Sequence, residues 1–270
     1  MSSQEAVNME IWQRLFNPTL YLDQTETPLE IDRLQVERFY QPLAERLIAK
    51  SAGHIRLMVA VAGPPGSGKS AFAAILRVVT DSIAGQELTV VVGLDGWHFP
   101  NGYLESHSIA REGKQVSLRR IKGAPESFDA EAAYACFYAI RQGGEVNYPV
   151  YSRSLHDPLP GAGCVLNSHA IVIVEGNYLL LDETPWRKFR ELFDSCVFLK
   201  IDPAAVEADL IERHRRGGKS SEAIQHQVYE VDLPDARRVL SGLSRAEIII
   251  YKSNPRLIER IEYLDKEPIS

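Results

Sequence analysis

Cysteine is scarce in this 270-residue sequence: Cys136, Cys164 and Cys196 are the only three. Their number is odd, their spacing is wide and no CxxC pair occurs, which excludes a disulfide framework or a zinc knuckle. A reducing, cytoplasmic compartment is the expectation. Strongly apolar runs stay under about ten residues, too short for a bilayer-crossing helix. The opening MSSQEAVNMEIWQ has no basic stretch followed by an apolar core, so no signal peptide and no membrane partner are expected. A basic excess is lacking too. The formal net charge is −6, which argues against bulk nucleic-acid binding and leaves small anionic ligands open. His98, His107 and His156 have no metal-ligand spacing, so surface or pocket roles are expected in place of zinc binding. Internal repeats and low-complexity tracts are absent.

What is present alternates. IRLMVAVA (55–62), LTVVVGL (88–94), AIVIVE (170–175), CVFLKI (196–201) and AEIIIY (246–251) read as buried strands, the last of them closing the sheet. SAFAAILRVVTDSI (70–83), FDAEAAYACFYAIRQ (128–142), PWRKFRELF (185–193) and PAAVEADLIERHRR (203–216) read as helices between them. SEAIQHQVYEVDLPDARRVL reads as helix interrupted near Pro234. The pattern predicts an α/β fold: a three-layer, doubly wound parallel sheet. The Pro- and Gly-rich segment 144–168 reads as an excursion over the sheet edge. Ahead of the first strand, Leu34, Phe39, Leu43 and Leu47 recur at helical spacing between Ile31 and Ala49, predicting an amphipathic helix.

GPPGSGKS (63–70) fits G-x-x-x-x-G-K-[ST] and lies directly between a predicted strand and a predicted helix. Gly66 and Gly68 let backbone amides turn inward around an anion with no Cβ in the way. The helix that starts near Lys69 adds the positive end of its dipole. Gly63, Pro64, Pro65, Gly66, Ser67, Gly68, Lys69, Ser70 and Ala71 are therefore the expected nucleotide cradle. Lys69 would reach the β- and γ-phosphates of ATP and Ser70 would ligate Mg²⁺. The guanine-reading N-K-x-D of GTPases is absent. LSGLSR (240–245) lacks the double glycine of the LSGGQ segment of transporter ATPases. Residues 1–52 are read as a helical extension packed on the core, and 53–270 as a P-loop kinase domain with a small lid at about 213–222.

An acceptor would sit beyond the carboxyl ends of the strands. Two strands end there in an acid followed by glycine: Asp95 in VVVGLDGWHFPN, and Glu175 in IVIVEGNYLLLD. Asp95 suits the orientation and deprotonation of a hydroxyl. Glu175 suits Mg²⁺ or one of its waters, and Asn177 stands just past it. The plainer alternative makes each acid a helix cap. LIERHRRGGKS (210–220) places Arg213 and Arg216 on one helical face before a glycine pair, as in a mobile lid whose arginines compensate charge at the transferred group; complementing the helix C-terminus is the plainer reading. Arg120, Tyr151 and Arg153 would line the acceptor pocket, and His98 would touch substrate. Trp97 and Phe99 are expected to pack.

Over about 55–260 the sequence resembles the uridine kinase, phosphoribulokinase and pantothenate kinase group of P-loop metabolite kinases. The resemblance is carried by GPPGSGKS, LDGWHFPN, KGAPESFD with YPVYSR, and VEGNYLLLD. DGWHFPN and KGAPESFD are similar to bacterial pantothenate kinase. VEGNYLLLDETPW with VDLPDARRV is closer to bacterial nucleoside- or fructose-kinase-like proteins. The resemblance implies Asp95 as catalytic base, Glu175 as Walker B acid and Arg213 as lid arginine. It implies ATP and Mg²⁺ as cofactors and a small-molecule acceptor, and it allows a homodimer. Arg153 stands where pantothenate kinases show histidine, and Val231 and Asp235 stand where relatives commonly show asparagine. The expected activity is transfer of the γ-phosphoryl group of ATP to a hydroxyl of a small polar metabolite, sugar or nucleoside favoured. Pantothenate is the second enzyme reading, and an ATPase or nucleotide-sensing regulator without such an acceptor is the reading outside the kinases.

Overall fold

In the computed structural model, which describes residues 7, 11, 13–15, 32–111 and 113–264, ten strands are seen in the described residues. They are β1 (Leu57–Ala62), β2 (Thr89–Gly93), β3 (Ser108–Arg111), β4 (Lys114–Ser117), β5 (Val146–Ser152), β6 (Asp157–Val165), β7 (Ile171–Gly176), β8 (Ser195–Lys200), β9 (Ile248–Lys252) and β10 (Ile258–Tyr263). Six of them form one sheet in the order β10-β9-β8-β1-β7-β2. Every residue of β1 is buried, because it runs through the middle of this sheet, parallel to β7 and β8. A strand covered on both faces can be apolar throughout.

Helix α1 runs from Arg33–Gln35 through a π-type turn, Val36–Tyr40, into Gln41–Ser51. It packs with α2 (Lys69–Ala84) on the face that receives Leu57, Val59 and Val61 of β1. Alternate residues Met58, Ala60 and Ala62 point the other way. There they meet Phe137 and Ile140 of α4 (Ala130–Arg141), together with Trp186 and Phe189 of the 3₁₀ turn Trp186–Leu192. The short α3 (Asn101–Ser106) lies between β2 and β3. The last helices are α5 (Pro203–Arg216) and α6, which runs from Ser221–His226 through a π-type turn, Gln227–Asp232, into Leu233–Val239. The three layers of the sequence reading are therefore present.

Two of these expectations need correction, and two take a more definite form. The sheet does not end at β9: β10 adds an antiparallel edge strand, so the sheet is mixed. Its sequence IERIEY mixes apolar with charged residues because an edge strand keeps much of its surface in water. The excursion at 144–168 is the antiparallel ribbon β5–β6; a two-stranded ribbon is all edge, which is where strand prolines are tolerated. Next to Pro234 the α-helical winding of α6 is interrupted, as expected, but the chain stays helical. The chain widens to the π-type turn directly before it, which accommodates a residue with no N–H to give. Leu34 is 69% exposed, while Phe39, Leu43 and Leu47 of the same helical pattern are buried; Ile31 lies outside the described residues. So does most of 1–31, although Ile11 and Leu15 are buried in the layer of α1.

At the end of the sheet opposite the glycine loop, Arg56 is buried with no carboxylate partner among the described residues. Its guanidinium donates to four carbonyls: His169 at 3.0 Å, Ile140 at 2.8 Å, Gly144 at 3.0 Å and Leu166 at 3.0 Å. These tie the start of β1 to the end of α4 and to the return from β6 to β7. Arg56→Met would remove all four bonds, although the Ile140 and Leu166 carbonyls keep the Gly143 and His169 amides, so a loss of about 3 kcal/mol is expected. A lower urea midpoint at unchanged slope checks it.

The carboxyl ends of β1, β2 and β7 come together. Glu175 is in register with Val61 of β1 on one side and Gly93 of β2 on the other. The glycine loop, the Asp95 turn and Glu175 thereby meet at one edge.

Candidate functional site

The loop after β1 needs its glycines. Gly66 and Gly68 have φ of +78° and +80°, in the left-handed region that side chains avoid. A Cβ on Gly66 would press at 3.1 Å on Val206 and 3.2 Å on Leu210 of α5, and one on Gly68 would collide with the Pro255 carbonyl. Gly68 is the N-cap of α2 and no side chain caps its amides. The buried Ser67 hydroxyl also lacks a partner among the described residues. Open amides at a helix start beside an orphaned hydroxyl fit a polyphosphate.

Lys69 is buried against this loop, with Nζ donating to the Pro64 carbonyl at 2.9 Å. Burial lowers its pKa to about 8; Glu175 and Asp95 pull it up and Arg213 pushes it down. Three residues expected at the terminal phosphate thus act on the charge of the fourth. Ser70 Oγ donates to Glu175 Oε1 at 3.0 Å. A hydroxyl and a carboxylate are hard oxygen donors of the kind Mg²⁺ takes, with phosphate oxygens and waters completing its shell. No group of three or more His, Cys, Asp or Glu side chains converges as a metal site among the described residues.

Asp95 lies on the 3₁₀ turn Leu94–Trp97 after β2, pinned by the buried Leu94 and Trp97. Trp97 packs edge-on against Phe137 at 4.7 Å, as expected of a core ring, and Phe99 stacks on Tyr103 at 4.4 Å. Gly96 has no room for a Cβ because the Pro149 carbonyl of β5 crosses it. The Asp95 carboxylate itself is 56% exposed, 4.0 Å from Nε2 of the buried His98. His98 stacks on Phe128 at 3.8 Å and lies 5.4 Å from Tyr151. Burial pushes the Tyr151 phenol up to about 12, with help from Asp95 and Asp157, so it is a hydrogen-bond donor at neutral pH.

Burial also lowers the His98 pKa to about 4 against the pull of Asp95, leaving a neutral imidazole at pH 7. The unfolded chain takes this proton near the ordinary histidine value of about 6.5. Stability is therefore expected to fall as pH drops from that value to about 4 and to level off below it, by up to about 3 kcal/mol from this group. Denaturant midpoints over that range, flattened in His98→Gln, check the effect.

The remaining sequence-selected residues separate. Arg120 turns to α6, with Nε 2.9 Å from His226 Nε2 and an ion pair to Glu230 at 3.4 Å. Arg153 is exposed past the end of β5, and its charge reaches Tyr151. Asn177 is half-buried just beyond β7. Arg213 is exposed at the end of α5, and its charge is felt at Lys69 and Lys219. Arg216 is bound to Glu212 at 2.9 Å, away from that group. His107 is exposed and stacks on Tyr103, while the His156 carbonyl accepts from Lys122.

Two lysines were not selected from the sequence. Lys252, at the end of β9, is buried and donates to the Ser67 carbonyl at 2.9 Å and to the Pro255 carbonyl. Burial and the Lys69 charge lower its pKa to about 7. A lysine closing the buried run IIIY was the available signal. Lys122 places Nζ 5.2 Å over the Tyr151 ring; its neighbours Arg119 and Arg120 masked it.

Comparison with known proteins agrees with this geometry. Residues 58–259 match the Phosphoribulokinase / Uridine kinase family. A protein of Schizosaccharomyces pombe described as a "putative uridine kinase" is 29% identical over 192 residues, covering 70% of this chain and 79% of that one. A pantothenate kinase of Limosilactobacillus fermentum is 25% identical over 258 residues, covering 86% and 81%. A solved structure described as a "putative fructose transport system kinase" from Silicibacter sp. TM1040 aligns with a TM-score of 0.65 at 30% identity, over 75% of this chain and 94% of that one. The matched span takes in the glycine loop, Asp95, Glu175 and Arg213, and the chain belongs to the phosphoribulokinase/uridine kinase family of P-loop kinases acting on small metabolites.

Proposed function

We propose that the chain is an Mg²⁺- and ATP-dependent kinase that transfers the γ-phosphoryl group to a hydroxyl of a small polar metabolite, sugar or nucleoside favoured. One observation carries the reading: Ser70 of the glycine loop donates to Glu175 at 3.0 Å, and Glu175 is in register with Gly93, two residues before the exposed Asp95, so an acceptor-side acid stands beside the phosphate-side loop. The uncapped amides of α2 and the Lys69 ammonium bind the phosphates. Ser70 and Glu175 hold the metal, which when bound neutralises charge on the transferred group. Asp95 orients the acceptor hydroxyl and takes its proton. The neutral His98 and the Tyr151 phenol supply hydrogen bonds suited to further hydroxyls. Arg213 faces the transferred group from α5.

The likeness to a uridine kinase-like protein and to a fructose transport kinase-like structure supports a sugar or nucleoside. Likeness to pantothenate kinases keeps pantothenate as the second acceptor. No helix among the described residues is long and apolar enough to cross a membrane, and all three cysteines are free thiols, which suits a cytoplasmic enzyme. The test is coupled ADP release with Mg·ATP over sugars, nucleosides and pantothenate. Acceptor-dependent ADP formation is the expected result. Acceptor-independent turnover that Asp95→Asn leaves intact would instead mark an ATPase.

A further inference from the structure

Lys252 is only 6% exposed, and its ammonium is met by two backbone carbonyls, those of Ser67 at 2.9 Å and Pro255. No carboxylate pairs with it among the described residues. Fastening two loops does not call for a buried charge, because a neutral donor would satisfy the same carbonyls with less desolvation. A cation buried at this place is favoured once the glycine loop receives an anion.

A loop that binds phosphate has to present N–H groups and keep its carbonyl oxygens turned away. The Pro64 carbonyl accepts from the Ser67 amide at 3.2 Å and from Lys69 Nζ. The Gly68 carbonyl accepts from the Phe72 amide of α2 at 2.9 Å. Among the described residues the Ser67 carbonyl accepts from Lys252 and from no other donor. The Ser67–Gly68 peptide is trans, so its N–H points opposite to its C=O. Gly68 has no Cβ to resist a flip of that peptide, and the group that holds the carbonyl sets its direction. The same ammonium holds Pro255, whose carbonyl lies against Gly68. Asn254 fixes the turn that carries Pro255: its Oδ1 accepts from the Arg256 amide at 2.9 Å and the Leu257 amide at 3.0 Å. The donor is therefore itself seated, at the junction of β9 and the turn that follows it. Burial and the Lys69 charge both act against the proton of Lys252, and an anion held by the loop acts the other way on both lysines.

We propose that Lys252 is a positioning residue for the nucleotide: its ammonium holds the Ser67 carbonyl outward, so that the Gly68 amide faces the phosphates, and it adds a second positive charge behind the loop. This rests on the ATP-binding part of the kinase reading and deepens it. Lys69 and Arg213 would answer the phosphates directly, whereas Lys252 acts through the backbone between Ser67 and Gly68. Its help is the same before and during transfer, because the Gly68 amide grips the part of the nucleotide that stays behind.

The test uses the full chain and a non-hydrolysable ATP mimic with Mg²⁺. Calorimetry is expected to give a dissociation constant at least about tenfold weaker for Lys252→Met than for the parent, the size of one charge-assisted bond. With any acceptor that supports ADP release, KM for ATP is expected to rise while kcat stays within a few-fold, the pattern of lost uniform binding. In amide-resolved NMR spectra of the parent, the mimic is expected to move the Gly68 amide proton downfield, and in Lys252→Met that movement shrinks. A lysine that merely braced the fold would lower the urea midpoint and leave the nucleotide constants alone. Unchanged affinity in Lys252→Met, a fall in kcat at unchanged affinity, or a Gly68 proton in the parent that the mimic does not move would each overturn the proposal. The last is read on the parent alone, so it decides even where Lys252→Met does not fold. Coupled ADP release separates the two readings. A parent that binds the mimic as described but turns over no acceptor keeps the role of Lys252 and removes the kinase reading. A parent that binds no mimic removes both.

Discussion

Asp95→Asn is expected to lower acceptor-dependent ADP release by roughly 10²–10⁴-fold, the range that a general base supplies, while ATP affinity changes only slightly. The substitution keeps the size of the side chain and removes its ability to take a proton. The turn that carries it is held by Leu94, Trp97 and the close crossing of β5 over Gly96, none of which depends on the carboxylate. Asp95 does raise the pKa of Lys69 from a distance, behind the larger effects of burial and Glu175. Losing it removes only a minor influence on the phosphate-binding ammonium. Steady-state rates at saturating acceptor, set beside a calorimetric dissociation constant for the ATP mimic, separate the two quantities. A fully active Asp95→Asn protein would remove the base assignment.

The parts of this site legible in the sequence are those whose chemistry and whose structure are local. The apolar run, glycine loop and helix around 57–84 are contiguous, so one pattern reports both the fold and the ligand. Asp95 and Glu175 were legible because each stands at the carboxyl end of an apolar, strand-like run and is followed by a glycine. Side-chain direction was less legible, because it is settled by distant partners. Arg120 and Lys122 are two residues apart in one turn; Arg120 is captured by His226 and Glu230 of α6, and Lys122 is left over Tyr151. Lys252 supports the glycine loop from 185 positions away. Strand β10 escaped because its charged residues look like surface until β9 is known to lie beside it.

The same principle separates two arginines that spacing had joined. Arg213 and Arg216 share a helical face by their interval of three, but Glu212 stands four before Arg216 and three before Arg215, and it binds both. Arg216 is thereby held at the surface in an exposed ion pair, an arrangement that contributes little. Arg213 carries its charge toward Lys69 and Lys219 instead. Val206 and Leu210, on the same helix, lie against the loop at Gly66, so the helix bearing Arg213 is seated on the phosphate cradle. Arg213→Ala is therefore expected to lower kcat by about 10³–10⁵-fold, the range for an arginine that stabilises a transferred phosphoryl group, with a much smaller change in ATP affinity. Arg216→Ala is expected to stay within a few-fold of the parent in both. Single-turnover rates at saturating ATP and acceptor decide between them. Equal rates for Arg213→Ala and parent would take Arg213 out of the reaction, and a matching collapse in Arg216→Ala would show that the two arginines act as a pair once the Glu212 contacts are released.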